Sequence, residues 1–484
     1  MEKRIILTVM ILGLLAGSFF MHNDVNAATK IKISSTNFPD KIFRNYVRKF
    51  DKNEDGYLSK QERHAVEEII MQGKGYFNVK SYKDAPKLNL KGIEYFPKVK
   101  RIKLNYFTLE NLKTSHMKKL SAVEFTRVKK KSFDFTKNSE LYLLSFYGSN
   151  VSKVKLKKDN KIKNVDFLSC KKIKEIDLTQ FPLLESLEVS KVSIKKMDFS
   201  QCKYLRELYW KKGNLKNIIF GSKNSKLEYL DLTENKLTSL DLNGCTALAY
   251  LECSSNPMKK LDVSTCKKLQ GLYCGNMKLK QLDLSKNTEL TALSCYLNQI
   301  NHLDLRKNKE LNYLSCYECE LEQLNVVGLA KLERMDCRNN KLTELELKEL
   351  PNLERLKCLG NPITYLDTSD LVNLNYLVCY NMELEGLELS NNLNLETLYC
   401  QGNKLKELNL KNNTKLRHLW CDRDVVENLE VFELLKIESA SCQDMLAVDF
   451  VAVEQNGNVS ENEKQNVKSE LLQLIQSYEE SLIA

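Results

Sequence analysis

Apolar residues return along this chain in a frame of fixed length. Cysteine occupies positions 253, 274, 295, 316, 337, 358, 379, 400, 421 and 442, a constant step of 21 residues. Each sits in the frame Leu-x-x-Leu-x-Cys-x-x-Asn-x-Leu, as at Leu248, Leu251, Cys253, Asn256 and Met258. Upstream the same column continues as Leu104, Phe125, Phe146, Phe167, Val189, Trp210 and Leu232, with two steps of 22 residues, from 167 to 189 and from 210 to 232. About 17 such units cover residues 99–446.

Alternation of apolar and polar residues around the column predicts a short strand with its Leu and Cys turned inward. One unit cannot bury its own apolar face, so neighbours must stack into a continuous core. The Asn column (Asn235, Asn256, Asn298, Asn340, Asn361, Asn403) is expected to turn inward and satisfy backbone groups where the chain leaves the strand, with Met277, Cys319 and Met382 as departures. A second half-frame, as at Leu261-Asp262-Val263 and Leu282-Asp283-Leu284, leaves no room for a helix in 21 residues. Short extended or 3₁₀ segments are expected there. The pattern resembles the leucine-rich repeat, which implies a solenoid with a curved parallel β-sheet.

The column that holds Cys also holds Leu, Phe, Val and Trp, so it asks for a buried apolar side chain rather than a thiol. The 15 Cys are therefore read as reduced core residues, including Cys202, Cys245 and Cys266 in the opposite column, which elsewhere holds Asn287, Asn308 or Leu329.

Ahead of the repeats, residues 51–62 read Asp51-Lys52-Asn53-Glu54-Asp55-Gly56-Tyr57-Leu58-Ser59-Lys60-Gln61-Glu62. A twelve-residue EF-hand loop needs oxygen ligands at its positions 1, 3, 5, 7, 9 and 12 and Gly at 6. Asp51, Asn53, Asp55, the Tyr57 carbonyl and Glu62 meet that requirement, and Ser59 can act directly or through water. Ile42, Phe43, Tyr46, Val47 and Phe50 fall at helical spacing before the loop, and Ala65, Val66, Ile69 and Ile70 do so after it. One structural Ca²⁺ is the expected cofactor. Together with Phe38-Pro39-Asp40 and the run from Leu90 to Phe96, this stretch resembles the N-terminal segment of exported leucine-rich repeat proteins of Gram-positive bacteria, in which it caps the repeats.

The remaining segments complete the organisation. Residues 1–27, with Lys3 and Arg4 before an apolar run and ending Val25-Asn26-Ala27, read as a secretory signal peptide, which implies a secreted or cell-surface protein. An EF-hand-like helix–loop–helix follows over 28–73, then a repeat cap over 74–98, the repeats, and a tail over 447–484. In that tail Ser460 and Glu463 form a capping box for an expected helix whose apolar stripe includes Leu471, Leu474 and Ile475.

Thirteen of the 21 Tyr fall at outward positions of the predicted strands. A protein or glycan partner is therefore expected on the concave face, at Tyr229, Tyr250, Tyr273, Tyr296, Tyr313, Tyr317, Tyr376, Tyr380, Tyr399, His418 and Trp420. Residues 74–220 carry 34 Lys+Arg against 14 Asp+Glu, within a chain of net charge +11. That basic edge offers an alternative, a structural role held to acidic wall polymer. No base-reading motif accompanies it, so no specific nucleic acid is expected, and no membrane span. No Ser/His/Asp order, phosphate loop or metal-binding helix appears, and the chain reads as a binding protein, not an enzyme.

Overall fold

The computed structural model describes residues 30–73, 85–422, 425, 439–441 and 448–449. The signal segment, part of the repeat cap and nearly all of the tail with its expected helix lie outside the described residues. Two compact units make up the chain, one from residues up to 195 with 204–214, the other from 196–203 with residues from 215 onward. Both are turns of a parallel β-solenoid of the leucine-rich repeat type.

In the first unit, α1 (Lys41–Val47) starts at Asp40, whose Oδ1 accepts from the Ile42 and Phe43 amides. Its other oxygen accepts from the Asn89 amide at 2.8 Å, which ties the helix to the repeat cap. Phe38, Phe43, Val47 and Phe96 are fully buried beneath it. Gly92, at φ 98°, permits that packing, because a Cβ there would stand 2.5 Å from the Phe38 ring.

α2 (Lys60–Ala65) is short, with a capping box between Ser59 and Glu62. The helical spacing expected through Ile69 and Ile70 does not continue. Glu68–Gln72 is instead a strand, which pairs in parallel with Arg101–Asn105 and opens the sheet. Its alternation decides the matter. Ile69 and Met71 are buried, while Glu68, Ile70 and Gln72 face out, and β-branched residues favour the pleated state. The Tyr46 hydroxyl accepts from the Ile70 amide at 2.8 Å, so α1 satisfies a backbone donor of this first strand.

Beyond it, Arg101–Asn105, Ala122–Thr126, Leu143–Tyr147, Asn164–Leu168, Ser186–Ser190 and Glu207–Lys211 run in register, column residue beside column residue. Along the core Phe125 meets Phe146 edge to face at 5.7 Å and Phe146 stacks on Phe167 at 5.8 Å between centroids, and Trp210 is fully buried.

The second unit uses three-residue strands from Tyr229–Asp231 to His418–Trp420, again parallel and in register, and Ser439–Ser441 continues them. Here the small Cys side chains replace the aromatic spine, and Cys253 to Cys421 are at most 1% exposed. The described cysteines are free thiols. Burial raises the Cys253 and Cys358 thiols to about 12, so at neutral pH they stay protonated, poor nucleophiles that serve as core.

Each repeat turns its corner two residues after the column, where φ is positive from Tyr106 through Leu297 to Gly402. Most of these positions carry a side chain, so the corner costs on the order of 1 kcal/mol at each. The inward ladder offsets that cost. Asn256 donates from Nδ2 to the Leu232 and Cys253 carbonyls, both at 2.9 Å, and accepts from the Leu237 amide at 3.0 Å.

Among the described residues the opposite side is built from turns, short 3₁₀ segments (Ile93–Tyr95, Leu178–Gln180, Ser222–Asn224) and paired bits of strand such as His302–Asp304 with Gln323–Asn325. Asp262, Asp283, Asp304 and Asp367 each accept from the amide two residues ahead, at 2.9–3.1 Å. They cap turns.

Candidate functional site

On the concave face of the second unit, strand register sorts the outward side chains into rows. One row runs Tyr229, Tyr250, Gly271, Ala292, Tyr313, Arg334, Arg355, Tyr376, Thr397, His418. A neighbouring row includes Tyr273, Asp336, Lys357, Tyr399 and Trp420, and a third, one residue past the column, holds Tyr296, Tyr317, Arg338 and Tyr380. All eleven partner residues expected from the sequence lie on this face and are exposed or half-buried. Tyr106, one of the thirteen Tyr at the outward positions read from the sequence, is 2% exposed and sits at a left-handed corner.

The rings stack along the rows. Tyr296 and Tyr317 lie nearly parallel, with centroids 4.9 Å apart, and the Arg338 guanidinium closes the stack 4.5 Å from the Tyr317 ring. A Cβ at Gly275 would fall 2.4 Å from Tyr296, so glycine leaves that ring room on its other side. Further on, Arg355 sits 5.0 Å from the Tyr376 ring, and Tyr399 stacks on Trp420 at 4.1 Å and 3°. Such stacks hold large side chains in one orientation before any partner arrives, which lowers the entropy lost on binding. Between the two patches lie Arg334, Arg338, Arg355 and Lys357 with Glu333, Asp336 and Glu354, a belt of mixed charge.

In loop 51–62 the carboxylates are oriented by the loop's own amides. Asp51 Oδ2 accepts from Gly56 N at 2.9 Å, and Asp55 Oδ1 from Tyr57 N at 2.9 Å. Glu62 reaches back across the loop, accepting from Lys52 N and Ser59 N, both at 2.8 Å. Burial pushes the Glu62 carboxyl up, but those two amides outweigh it and hold it below its ordinary value. Asp51 Oδ1 is buried with no hydrogen-bond partner. A buried acceptor left in that state costs about 1–3 kcal/mol, and a hard cation is a fitting partner for it. Opposite the loop, β1 (Ile31–Lys32) pairs antiparallel with β2 (Tyr57–Leu58).

Among the described residues no three His, Cys, Asp or Glu side chains converge as a metal cluster by themselves. A cation in the loop would therefore draw on Asn53 and the Tyr57 carbonyl as well. Nor does the turn-capping column supply an acid–base pair. Hydrogen bonding to Arg306 holds Asp304 down to about 2, and Ser264 and Ser285 hold Asp262 and Asp283 below their usual range. No helix among the described residues is long and apolar enough to cross a membrane.

Sequence reading missed parts of the inward ladder. Ser149 and Cys170 hold the Asn position upstream and donate to the Phe125 and Phe146 carbonyls at 2.9 and 3.1 Å, as Cys319 does to Cys295 at 3.0 Å. A second Asn ladder runs on the convex side. Asn287 donates to Val263 and Cys266, and Asn308 to Leu284 and Asn287. Its 21-residue recurrence, seen again at Asn392 and Asn413, is the signal that could have identified it.

No family model matches the chain, and no curated protein does. Among solved structures, the functional domain of InlJ from Listeria monocytogenes, which includes a cysteine ladder, aligns with a TM-score of 0.62 at 20% identity over 81% of each chain. A leucine-rich repeat protein of Leptospira interrogans aligns at 0.52 and 19% identity, over 74% of this chain and 97% of its own. The plant peptide hormone receptor RGFR1, in complex with RGF2, aligns at 0.58 and 17% identity, over 74% of this chain and 64% of that one. These likenesses support the fold.

Proposed function

We propose that this chain is a secreted or cell-surface binding protein that takes a protein or glycan partner on its Tyr-rich concave face. The observation that carries the reading is the pair of pre-stacked aromatic rows, Tyr296–Tyr317–Arg338 and Arg355–Tyr376 with Tyr399–Trp420. The core beneath them is already filled by Leu and Cys. These rings are therefore surplus to the core, and aromatic and Arg side chains dominate binding energy at interfaces. The mature chain, probed on protein and glycan arrays, is expected to pick out discrete ligands whose binding survives a rise in salt. Binding to anionic polymers alone, with steep salt dependence, would favour the wall-associated role of the basic edge instead.

We propose further that Asp51, Asn53, Asp55, the Tyr57 carbonyl and Glu62 hold one structural Ca²⁺ that steadies the N-terminal segment. The unpartnered Asp51 Oδ1 and the inward-drawn Glu62 support this. Bound there, the ion would neutralise three carboxylates and pin the loop between α1 and α2. Calorimetric titration with calcium should show one site, with a dissociation constant on the order of 10⁻⁴–10⁻³ M. Glu62→Gln should abolish it. Absence of heat with the unmodified chain would contradict the site.

A further inference from the structure

The loop already has a cation beside it, and that cation belongs to the chain. Pairing of Ile31 with Leu58 and Lys32 with Tyr57, extended by the Ile33 amide donating to the Gly56 carbonyl at 2.9 Å, fixes β1, and with it the adjoining Lys30, against the loop. Lys30 is thereby placed so that its Nζ stands 2.7 Å from Asp55 Oδ2. The two oxygens of Asp55 have different duties. Oδ1 accepts from the Tyr57 amide and shapes the loop. Oδ2 is the oxygen left to face a cation, with the Asn53 amide nitrogen donating to it at 3.1 Å and the Lys30 ammonium nearer still.

We infer that Lys30 is an intrachain competitor for the cation of this loop: it neutralises the carboxylates while no divalent ion is bound, and calcium enters by displacing its ammonium from Asp55 Oδ2. This rests on the calcium reading above. One ammonium does not complete the site, since Asp51 Oδ1 stays buried without a partner. A divalent ion held as proposed would draw on Asp51, Asn53, Asp55, the Tyr57 carbonyl and Glu62, whereas the tethered amine pairs with Asp55 alone. Occupancy is coupled to whether Lys30 is docked or released, two residues ahead of Lys32, which opposes Tyr57.

The test compares the mature chain with Lys30→Met and Lys32→Met, titrating calcium alone by calorimetry. Lys32 is the control: it carries the same charge two residues along, and its ammonium lies 6.0 Å from the Tyr57 ring centroid. Lys30→Met should bind calcium about fivefold more tightly, the scale of one exposed ion pair removed, and Lys32→Met should bind nearly as the unmodified chain does. Equal affinities in all three proteins would overturn the competitor while leaving the calcium site standing. No binding by any of them would overturn the site and the competitor with it. Binding by Lys30→Met alone would support both. A second readout needs no ion. In chelator, Lys30→Met should lower the unfolding midpoint of the N-terminal segment, because Asp55 loses its ion-pair partner, and saturating calcium should remove the difference. An unchanged midpoint in chelator would count against neutralisation by Lys30.

Discussion

Replacing Asn340 with leucine should destabilise the second unit by about 3–5 kcal/mol, one of the largest effects open to a single substitution here. The side chain is 7% exposed and makes four backbone hydrogen bonds of 3.0 Å or less, besides a longer one to the Arg338 carbonyl at 3.3 Å. Nδ2 donates to the Cys316 and Cys337 carbonyls at 2.9 and 2.8 Å, and Oδ1 accepts from the Cys319 and Leu321 amides at 2.9 and 3.0 Å. Leucine matches asparagine roughly in size but returns none of these bonds, so a left-handed corner would be left with buried, unpaired amides and carbonyls. Relaxation of the turn recovers part of that penalty, which is why the estimate falls below the sum of four orphaned groups at about 1–3 kcal/mol each.

Because a solenoid's repeats couple chiefly to their neighbours, the damage should be local. Hydrogen exchange at the Cys319 and Leu321 amides should accelerate strongly, with little change in repeats several turns away. Cys319→Ala, which removes a single bond to the Cys295 carbonyl, should cost much less. A loss below about 1 kcal/mol for Asn340→Leu would mean that the ladder is not what secures the corners.

That ladder also shows how far a sequence discloses such a fold. Recurrence at 21 residues makes the strands, the inward column and the Asn positions legible, because stacking forces the same physical demand on every unit. The demand is for a shape and a donor rather than for one amino acid, so Ser149 and Cys170 meet it unseen by a search for Asn.

The strand Glu68–Gln72 was obscured for a different reason. Ala65, Val66, Ile69 and Ile70 fit a helical stripe, and nothing local shows that the chain must add an edge strand beside Arg101–Asn105. The positive φ at each corner follows from closing the coil and leaves no residue signature, since Tyr, Lys, Glu, Ser, Asn and Leu all adopt it. At the candidate surface the sequence places the rings outward. The stacking of Tyr296 on Tyr317 and of Tyr399 on Trp420 depends on rotamers that spacing does not encode. Lys30 and Asp55, 25 residues apart, meet through strand pairing alone.

The concave face carries the functional account, and its loss should be large. Tyr317 anchors the first stack, Trp420 ends the second, and Tyr380 stands half-buried in the same row as Tyr317. Truncating a hot-spot aromatic costs about 2 kcal/mol, or about 30-fold in affinity, and three in one protein should remove measurable binding. Since these side chains point away from the Leu and Cys core, the thermal midpoint should fall only by the small contribution of the stacks themselves, about 1 kcal/mol each at most.

The decisive measurement is partner affinity, by calorimetry or surface binding with a ligand drawn from the arrays, for Tyr317→Ala, Tyr380→Ala, Trp420→Ala and their combination. Lys153→Ala and Lys155→Ala, on an exposed convex strand of the basic region, serve as controls. The account predicts a loss of about 30-fold in each concave variant, none detectable in the triple variant, and near-normal affinity in the lysine controls. Full affinity in all three concave variants, with loss confined to the lysines, would contradict it and move the function to the basic edge.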